Sequence, residues 1–254
     1  MNLEEYVSKI VMPKSDSHKG ENGRVLVIGG SKLFHAAPFW AAEMASKMVD
    51  MVHFSSPIML NNVLMSQRAK ENFWEGIVVP WEEIDHYIEE DDCILIGPGM
   101  ERGEETKEII NDLLRKYPTK KWIVDGGALQ EVDPNLLTKT MIITPNKREQ
   151  EVLGSNIPEG LTVLAKGEVD RVICEYENIE IAGGSPGMTK GGTGDALAGM
   201  VAGFYAKSPA FASCVVASRV NKLAGEEIEK KVGTFFSTSD LIKEVQIVLG
   251  SIFK

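Results

Sequence analysis

Cysteine is scarce in this chain. Its three thiols, Cys93, Cys174 and Cys214, lie far apart in apolar surroundings, and no CxxC pair occurs. This excludes a disulfide framework and a thiolate zinc site, and leaves three inert thiols. No apolar run reaches the roughly 18 residues that a membrane span requires. The first twenty residues mix charges early and contain no apolar core of a secretory signal. Basic residues are in deficit, with 27 Lys and Arg against 37 Asp and Glu and a formal net charge of -10. That argues against a nucleic-acid groove and an anionic membrane surface, both of which reward clustered Lys and Arg. There is no Pro/Gly/Ser linker, composition break, internal repeat or low-complexity tract along the 254 residues, 43% of which are hydrophobic. The expectation is one domain over 1–254, located in the cytoplasm, with neither nucleic acid nor membrane among its partners.

Short β-rich runs alternate with longer helical patterns. RVLVIGG (24–30), VDMVHFS (49–55), CILIGPG (93–99), KWIVDGG (121–127) and TMIITPN (140–146) read as strands, as do TVLAKG (162–167), RVICEY (171–176) and NIEIAGG (178–184). APFWAAEMASKM (37–48) and EETKEIINDLLRKY (104–117) read as helices, the second with Ile109, Ile110, Leu113 and Leu114 on one face. The C-terminal stretch reads as helix apart from a loop near Val232–Thr238, where Ser237, Thr238 and Ser239 offer N-caps. The acidic run Glu82–Asp92 reads as a solvated face. Apolar strands without alternation imply burial on both faces. The expected fold class is therefore α/β, with a mostly parallel central sheet covered by helices on both sides. Ligands in such sheets sit beyond the carboxyl ends of the strands. Here those ends are Gly29–Ser31, Gly97–Gly99, Asp125–Gly127 and Thr144–Asn146, and they are expected to line one crevice.

The segment GGSPGMTKGGTGDALAGMVAGFYA (183–206) carries the strongest chemical signal. Glycines 191, 192 and 194 allow backbone N–H groups to converge on one point, and a helix follows whose N-terminus carries a positive partial charge. This makes an anion hole suited to a phosphoryl group in transfer. Asp195 stands beside it, where a carboxylate can accept the proton of an attacking hydroxyl. The plainer alternative is a glycine turn with Asp195 as a helix cap. The segment is neither a Walker A loop, since no GK[ST] closes it, nor a GxGxxG turn.

Together with its neighbours this segment resembles the NAD(P)H-hydrate dehydratase family of the ribokinase-like superfamily. The pieces that carry the resemblance run in order along nearly the whole chain: GRVLVIGGS (23–31), AAPFWAAEMASK (36–47), IGPGM (96–100), VDGGAL (124–129), TPNKRE (144–149), AKG (165–167) and PGMTKGGTGDALAGM (186–200). The resemblance implies a ribokinase-like three-layer sandwich that repairs hydrated NADH or NADPH. A nucleotide, ADP more than ATP, phosphorylates the ring hydroxyl with Mg2+ assisting, and loss of phosphate restores the double bond. It implies Asp195 as base and Gly191, Gly192, Thr193 and Gly194 as the anion hole. Lys166, Gly167, Glu168, Val169 and Asp170, with Gly194, would bind the nucleotide. Ala37, Gly99 and Asn146, with Asp195, would bind the hydrated dinucleotide, and Glu149 would stand near magnesium.

Four places depart from the family pattern. Asn146 stands where the family usually has histidine, and Ala36 where it has glycine. Asp125-Gly126-Gly127 replaces Asp-Ala-Asp, and the loop Lys166–Asp170 replaces Lys-Gly-Ala-Gly-Thr, bringing two acids that would repel phosphates. Family members often carry an N-terminal epimerase domain; the matching pattern here begins near residue 23, so an epimerase is expected to be a separate protein. Family members also often assemble as tetramers or larger, so a homo-oligomer is expected. The competing readings are a small-alcohol kinase of the same superfamily, of hydroxyethylthiazole or hydroxymethylpyrimidine type, and a nucleotide-binding protein that has lost catalysis.

Residue by residue, plainer roles are open as well. Lys166 could be a solvated strand end, Asn146 a turn residue, Glu149 a first-turn acid and Asp125 a turn cap. His35 could be a surface residue near the crevice, and Phe39 and Trp40 core residues.

Overall fold

The computed structural model describes residues 2–71, 75–154, 157–175 and 177–254. Among these, nine strands form one sheet: β1 (Arg24–Ile28), β2 (Met51–Ser55), β3 (Gly76–Val78), β4 (Cys93–Ile96), β5 (Trp122–Val124), β6 (Ile142–Ile143), β7 (Thr162–Ala165), β8 (Asp170–Cys174) and β9 (Glu177–Ile181). Their spatial order is β3-β2-β1-β4-β5-β6-β7-β8-β9. All pairings from β3 to β7 are parallel, and β7-β8-β9 are antiparallel.

The helices are α1 (Leu3–Val7), α2 (Ala36–Ala45), α3 (Met59–Glu71), α4 (Ile84–Glu90), α5 (Glu104–Lys116), α6 (Gly126–Glu131), α7 (Lys147–Leu153), α8 (Thr193–Tyr205), α9 (Ala210–Val232) and α10 (Thr238–Ile252). One apolar cluster joins the sheet to α2, α8, α9 and α10, and a second joins its other face to α4, α5 and α6. No described helix is long and apolar enough to cross a membrane.

The central strands β1, β4 and β5 are buried almost throughout, as their unbroken apolar runs require. The far edge behaves differently. In β8 buried and exposed residues alternate, so this antiparallel strand has one face on the core and one in water. The expected strand 171–176 therefore belongs to a hairpin rather than to the doubly covered sheet, and its Tyr176 lies outside the described residues. The edge strand β3 was not anticipated, because Gly-Ile-Val offers too short an apolar run to stand out.

The acidic run also has an inside. It forms a short 3-10 turn and α4, which buries Ile84 and Ile88. Asp91 is sealed in, its carboxylate accepting from His53 Nδ1 at 2.9 Å.

The pairing that places the glycine loop is α2 against α8. A methyl added at Gly199 would stand 2.2 Å from the Ala41 carbonyl oxygen, so only glycine lets the two backbones come this close. The smooth side of α8, with Ala198, Gly199, Ala202 and Gly203, thus lies against α2. Both helices begin at the carboxyl edge of the sheet, and each delivers its first turn to the crevice.

Candidate active site

Gly192 is the N-cap of α8, in the left-handed region at φ +98°, and Asp195 lies in the first helical turn. Asp195 is therefore not the helix cap. The first N–H groups of α8 lack intrahelical partners by geometry and point out of the helix start, the arrangement that an anion hole requires. The Thr193 hydroxyl does not share in it. It donates back to the carbonyls of Met188 (2.7 Å) and Lys190 (3.1 Å), fastening the loop, so Thr193 can contribute only its backbone. The Gly191 carbonyl is held from the other side by the Thr238 hydroxyl at 2.8 Å.

A methyl at Gly192 would stand 2.2 Å from the Trp40 ring. Trp40 is in turn fixed by its indole N–H, which donates to Ser239 Oγ at 3.2 Å. Gly192→Ala is expected to cost about 2 kcal/mol from positive φ alone, with further loss as Trp40 is displaced. Thermal melts and steady-state rates check this; a variant as stable and active as the parent would mean the loop shape is not needed.

Asp125 was not assigned a site role from the sequence, yet it holds the centre. It is 2% exposed, and it does not cap the following helix. Its Oδ1 accepts from Lys166 Nζ at 2.6 Å and from Thr144 Oγ1 at 2.8 Å. Lys166 is thus no solvated strand end. It projects beneath Gly194, where an added methyl would meet Nζ at 3.4 Å. Burial alone would lower the Lys166 pKa, but the negative charges of Asp125 and Glu149 override it and hold the ammonium form above its ordinary value. The Asp195 carboxyl is pushed up to about 7, first by burial and then by the charge of Asp125, with Lys166 opposing.

Asn146 and Glu149 form a reciprocal capping box at the start of α7. Asn146 Oδ1 accepts from Glu149 N at 3.0 Å, and Glu149 Oε2 accepts from Asn146 N at 2.8 Å. Both plain readings therefore hold locally, but the box also orients Glu149 inward, where it is 6% exposed and within electrostatic reach of Lys166 and Asp125. Burial, above all, raises its carboxyl pKa.

Two cavities flank the glycine loop. One, of about 800 Å³, has Lys166, Gly167, Glu168, Val169, Thr193 and Gly194 in its wall, and Asn146 and Asp170 as well. All six residues assigned to the nucleotide from the sequence are therefore brought together. The expected repulsion from two acids in this loop does not arise at Asp170. Its carboxylate turns inward and is fully engaged, accepting from Gly167 N at 2.8 Å and Ser218 Oγ at 2.7 Å, with Lys222 Nζ at 3.6 Å. Lys222 also donates to the carbonyls of Gly167, Glu168 and Gly183. Only Glu168 remains as an exposed acid there.

The second cavity, about 410 Å³, lies on the other side of the loop, lined by His35, Phe39, Trp40, Phe54, Asn61 and Met65 among others. Phe39 is core, as expected, and lines this cavity together with Trp40, which is only half-buried. His35 is not a bare surface residue, for its Nδ1 lies 2.7 Å from Asn61 Oδ1. Ala37 and Gly99 line neither of these two cavities but meet each other: a methyl on Gly99 would stand 3.2 Å from the Ala37 Cβ. Ala37 and Gly99 are thus adjacent to each other, while Asn146 lies in the wall of the first cavity.

A mostly parallel sheet with helices on both faces, whose strand ends meet a glycine-rich helix start, is a ribokinase-like fold. The ADP/ATP-dependent NAD(P)H-hydrate dehydratase of Bacillus subtilis, crystallised with ATP and Mg2+, shares this fold with a TM-score of 0.79 at 17% identity, over 99% of this chain and 97% of that one. The chain belongs to the NAD(P)H-hydrate dehydratase family, whose model matches residues 25–247. It is 35% identical over 248 residues to the bifunctional NAD(P)H-hydrate repair enzyme Nnr of Methanocaldococcus jannaschii, a match that covers 92% of this chain and 50% of that protein. The chain thus spans about half the length of that curated relative. It is also 31% identical to the ADP-dependent (S)-NAD(P)H-hydrate dehydratase of Nitrosopumilus maritimus, with 93% of this chain and 91% of that protein covered.

Proposed function

We propose that the protein dehydrates hydrated NADH or NADPH at the expense of an adenine nucleotide, ADP in preference to ATP, as a carbon–oxygen lyase. The observation that carries this reading is Asp195, in the first turn of α8 directly after Gly194, which lines the larger cavity above Lys166, with its carboxyl raised to about 7. The cavity beside Lys166 and Gly194 takes the nucleotide. The one behind Trp40, with Ala37 and Gly99 nearby, takes the ring end of the hydrated dinucleotide.

The ring hydroxyl attacks the terminal phosphorus as its proton passes to Asp195, and the bond from phosphorus to the bridging oxygen breaks, releasing AMP from ADP. The N–H groups at the start of α8 hold the phosphoryl oxygens while this happens. The carbon–oxygen bond of the ester then breaks, phosphate leaves with the electron pair, and the neighbouring ring carbon gives up its proton to the departing phosphate as the double bond re-forms. A base titrating near neutrality is matched to the first step.

Magnesium is compatible with the donor set. It is commonly held by one or two carboxylates together with substrate phosphates and water, so no protein cage is needed. Among the described residues no group of three His, Cys, Asp or Glu could hold a metal alone. Glu149 would supply the carboxylate, since its Oε1 has only a 3.5 Å contact with Gln130. When bound, the ion neutralises phosphate charge.

We further place the protein in the cytoplasm as a homo-oligomer. The exposed apolar side chains Leu33, Phe34, Met59 and Leu60 support a self-contact near the crevice mouth.

Absorbance at about 340 nm, the reduced nicotinamide band, tests the reaction with hydrated NADH, Mg2+ and either nucleotide. A nucleotide-dependent rise with released phosphate is expected. A stable phosphate ester without the rise would instead indicate a small-alcohol kinase.

A further inference from the structure

One helix face supplies the floor of the nucleotide cavity. Ser218, Asn221 and Lys222 stand at i, i+3 and i+4 on α9 and so share a side. Two of the three are committed: Ser218 to Asp170, and Lys222 to Asp170 and three loop carbonyls. Asn221 is different. It lines the cavity, is 4% exposed, and its amide oxygen is shut from solvent and accepts no hydrogen bond. Arg24 Nε is the other buried polar side-chain atom without a partner among the described residues. Its guanidinium does bind Glu90 through Nη1, so the group as a whole is engaged. Asn221 has no such second contact.

An unpaired buried amide costs about 1–3 kcal/mol. A helix interior is also a poor place for asparagine on propensity alone. Apolar packing would be better served by leucine at this site, because the neighbouring wall residues Leu197, Met188 and Val169 are apolar. A polar group left unpaired at a cavity wall is accounted for by a ligand that pairs with it.

We infer that Asn221 reads the base of the nucleotide, pairing its amide with the amino-bearing edge of an adenine ring. This rests on the adenine-nucleotide reading proposed above. An asparagine amide presents an acceptor and a donor side by side, and adenine offers the complementary amino group beside a ring nitrogen. The oxygen has no hydrogen bond to lose, so a partial turn about the Cβ–Cγ bond that brings the oxygen and nitrogen together to the cavity breaks none. The apolar side chains of Leu197, Met188 and Val169 supply ring contacts that any purine can use. The edge read is N6 with N7; there a 6-oxopurine offers two acceptors, so the amide oxygen meets no donor in either setting of the amide and the discrimination falls on Asn221.

Calorimetric titration of ADP and IDP, without hydrated NADH, tests this on the parent, Asn221→Leu and Asn221→Ala. The parent is expected to bind ADP about tenfold more tightly than IDP, the scale of one good base contact. Both variants are expected to bind the two about equally. Unliganded Asn221→Leu is expected to melt no lower than the parent, because it removes a polar group that had no partner. If the parent binds ADP but the variants keep its ADP/IDP ratio, the Asn221 assignment falls and the nucleotide reading stands. If the parent binds neither nucleotide, both fall.

Discussion

Asp195→Asn is expected to lower turnover of hydrated NADH by about a thousandfold, the usual scale for a lost general base. Nucleotide affinity should stay within a few-fold, because the N–H groups of the α8 start are unchanged. In the parent, kcat/KM should rise with pH and level off above about 7, where the carboxyl has lost its proton. The same group makes a second, independent prediction about stability. Its folded pKa of about 7 lies above the ordinary 3.8, so its contribution to folding is fully present at low pH and is lost as pH rises through 7. Asparagine carries no charge at any pH. The variant should therefore melt close to the parent below about pH 4 and above it at pH 8, by roughly a few degrees in a domain of this size. Single-turnover rates and melts across that range check both. An active asparagine variant would remove Asp195 from the chemistry.

Lys166→Met is expected to be the most damaging single change to the fold. It strands the carboxylate of Asp125, 2% exposed, without its ion partner. Breaking a buried pair in this way costs about 3–5 kcal/mol; because Lys166 keeps 15% of its side chain in solvent, the lower end applies. The loss also takes away the one positive charge that opposes the rise of Asp195, so residual activity should shift to higher pH. Adding Asp125→Asn should return much of the stability, since neither charge is then left alone, but not the activity. Denaturant melts of the single and double variants give the answer. A single variant as stable as the parent would mean that the pair is not a structural element of the site.

The central sheet was legible because its evidence is local: RVLVI and CILI are unbroken apolar runs, and each ends in glycines that mark the turn. The glycine loop at the start of α8 was legible for the same reason, since Lys190–Asp195 carries its glycines and its acid in six consecutive positions. Asp125 was not. A strand-end aspartate has the same neighbours whether it caps a turn or reaches across the sheet, and its partner Lys166 is 41 residues away. Asp170 was misjudged by the same blindness to distance. The charge was visible, but Ser218 and Lys222, which consume it, lie on a helix about fifty residues later. Asn221 gave no signal, because one polar residue in a long helix reads as an exposed position. The acidic run concealed Asp91 because burial by His53 comes from another strand.

The Lys222 clamp has a kinetic meaning. Loops that close on phosphate often order only when the ligand arrives, and that ordering is subtracted from affinity. Here one ammonium ties Gly167, Glu168 and Gly183 together through contacts within the protein alone. The two walls of the cleft are thus joined by a strut from beneath, and a nucleotide bound as proposed would meet a preformed slot. Association then requires little rearrangement, and differences in affinity among nucleotides should be expressed in how fast they leave rather than how fast they enter.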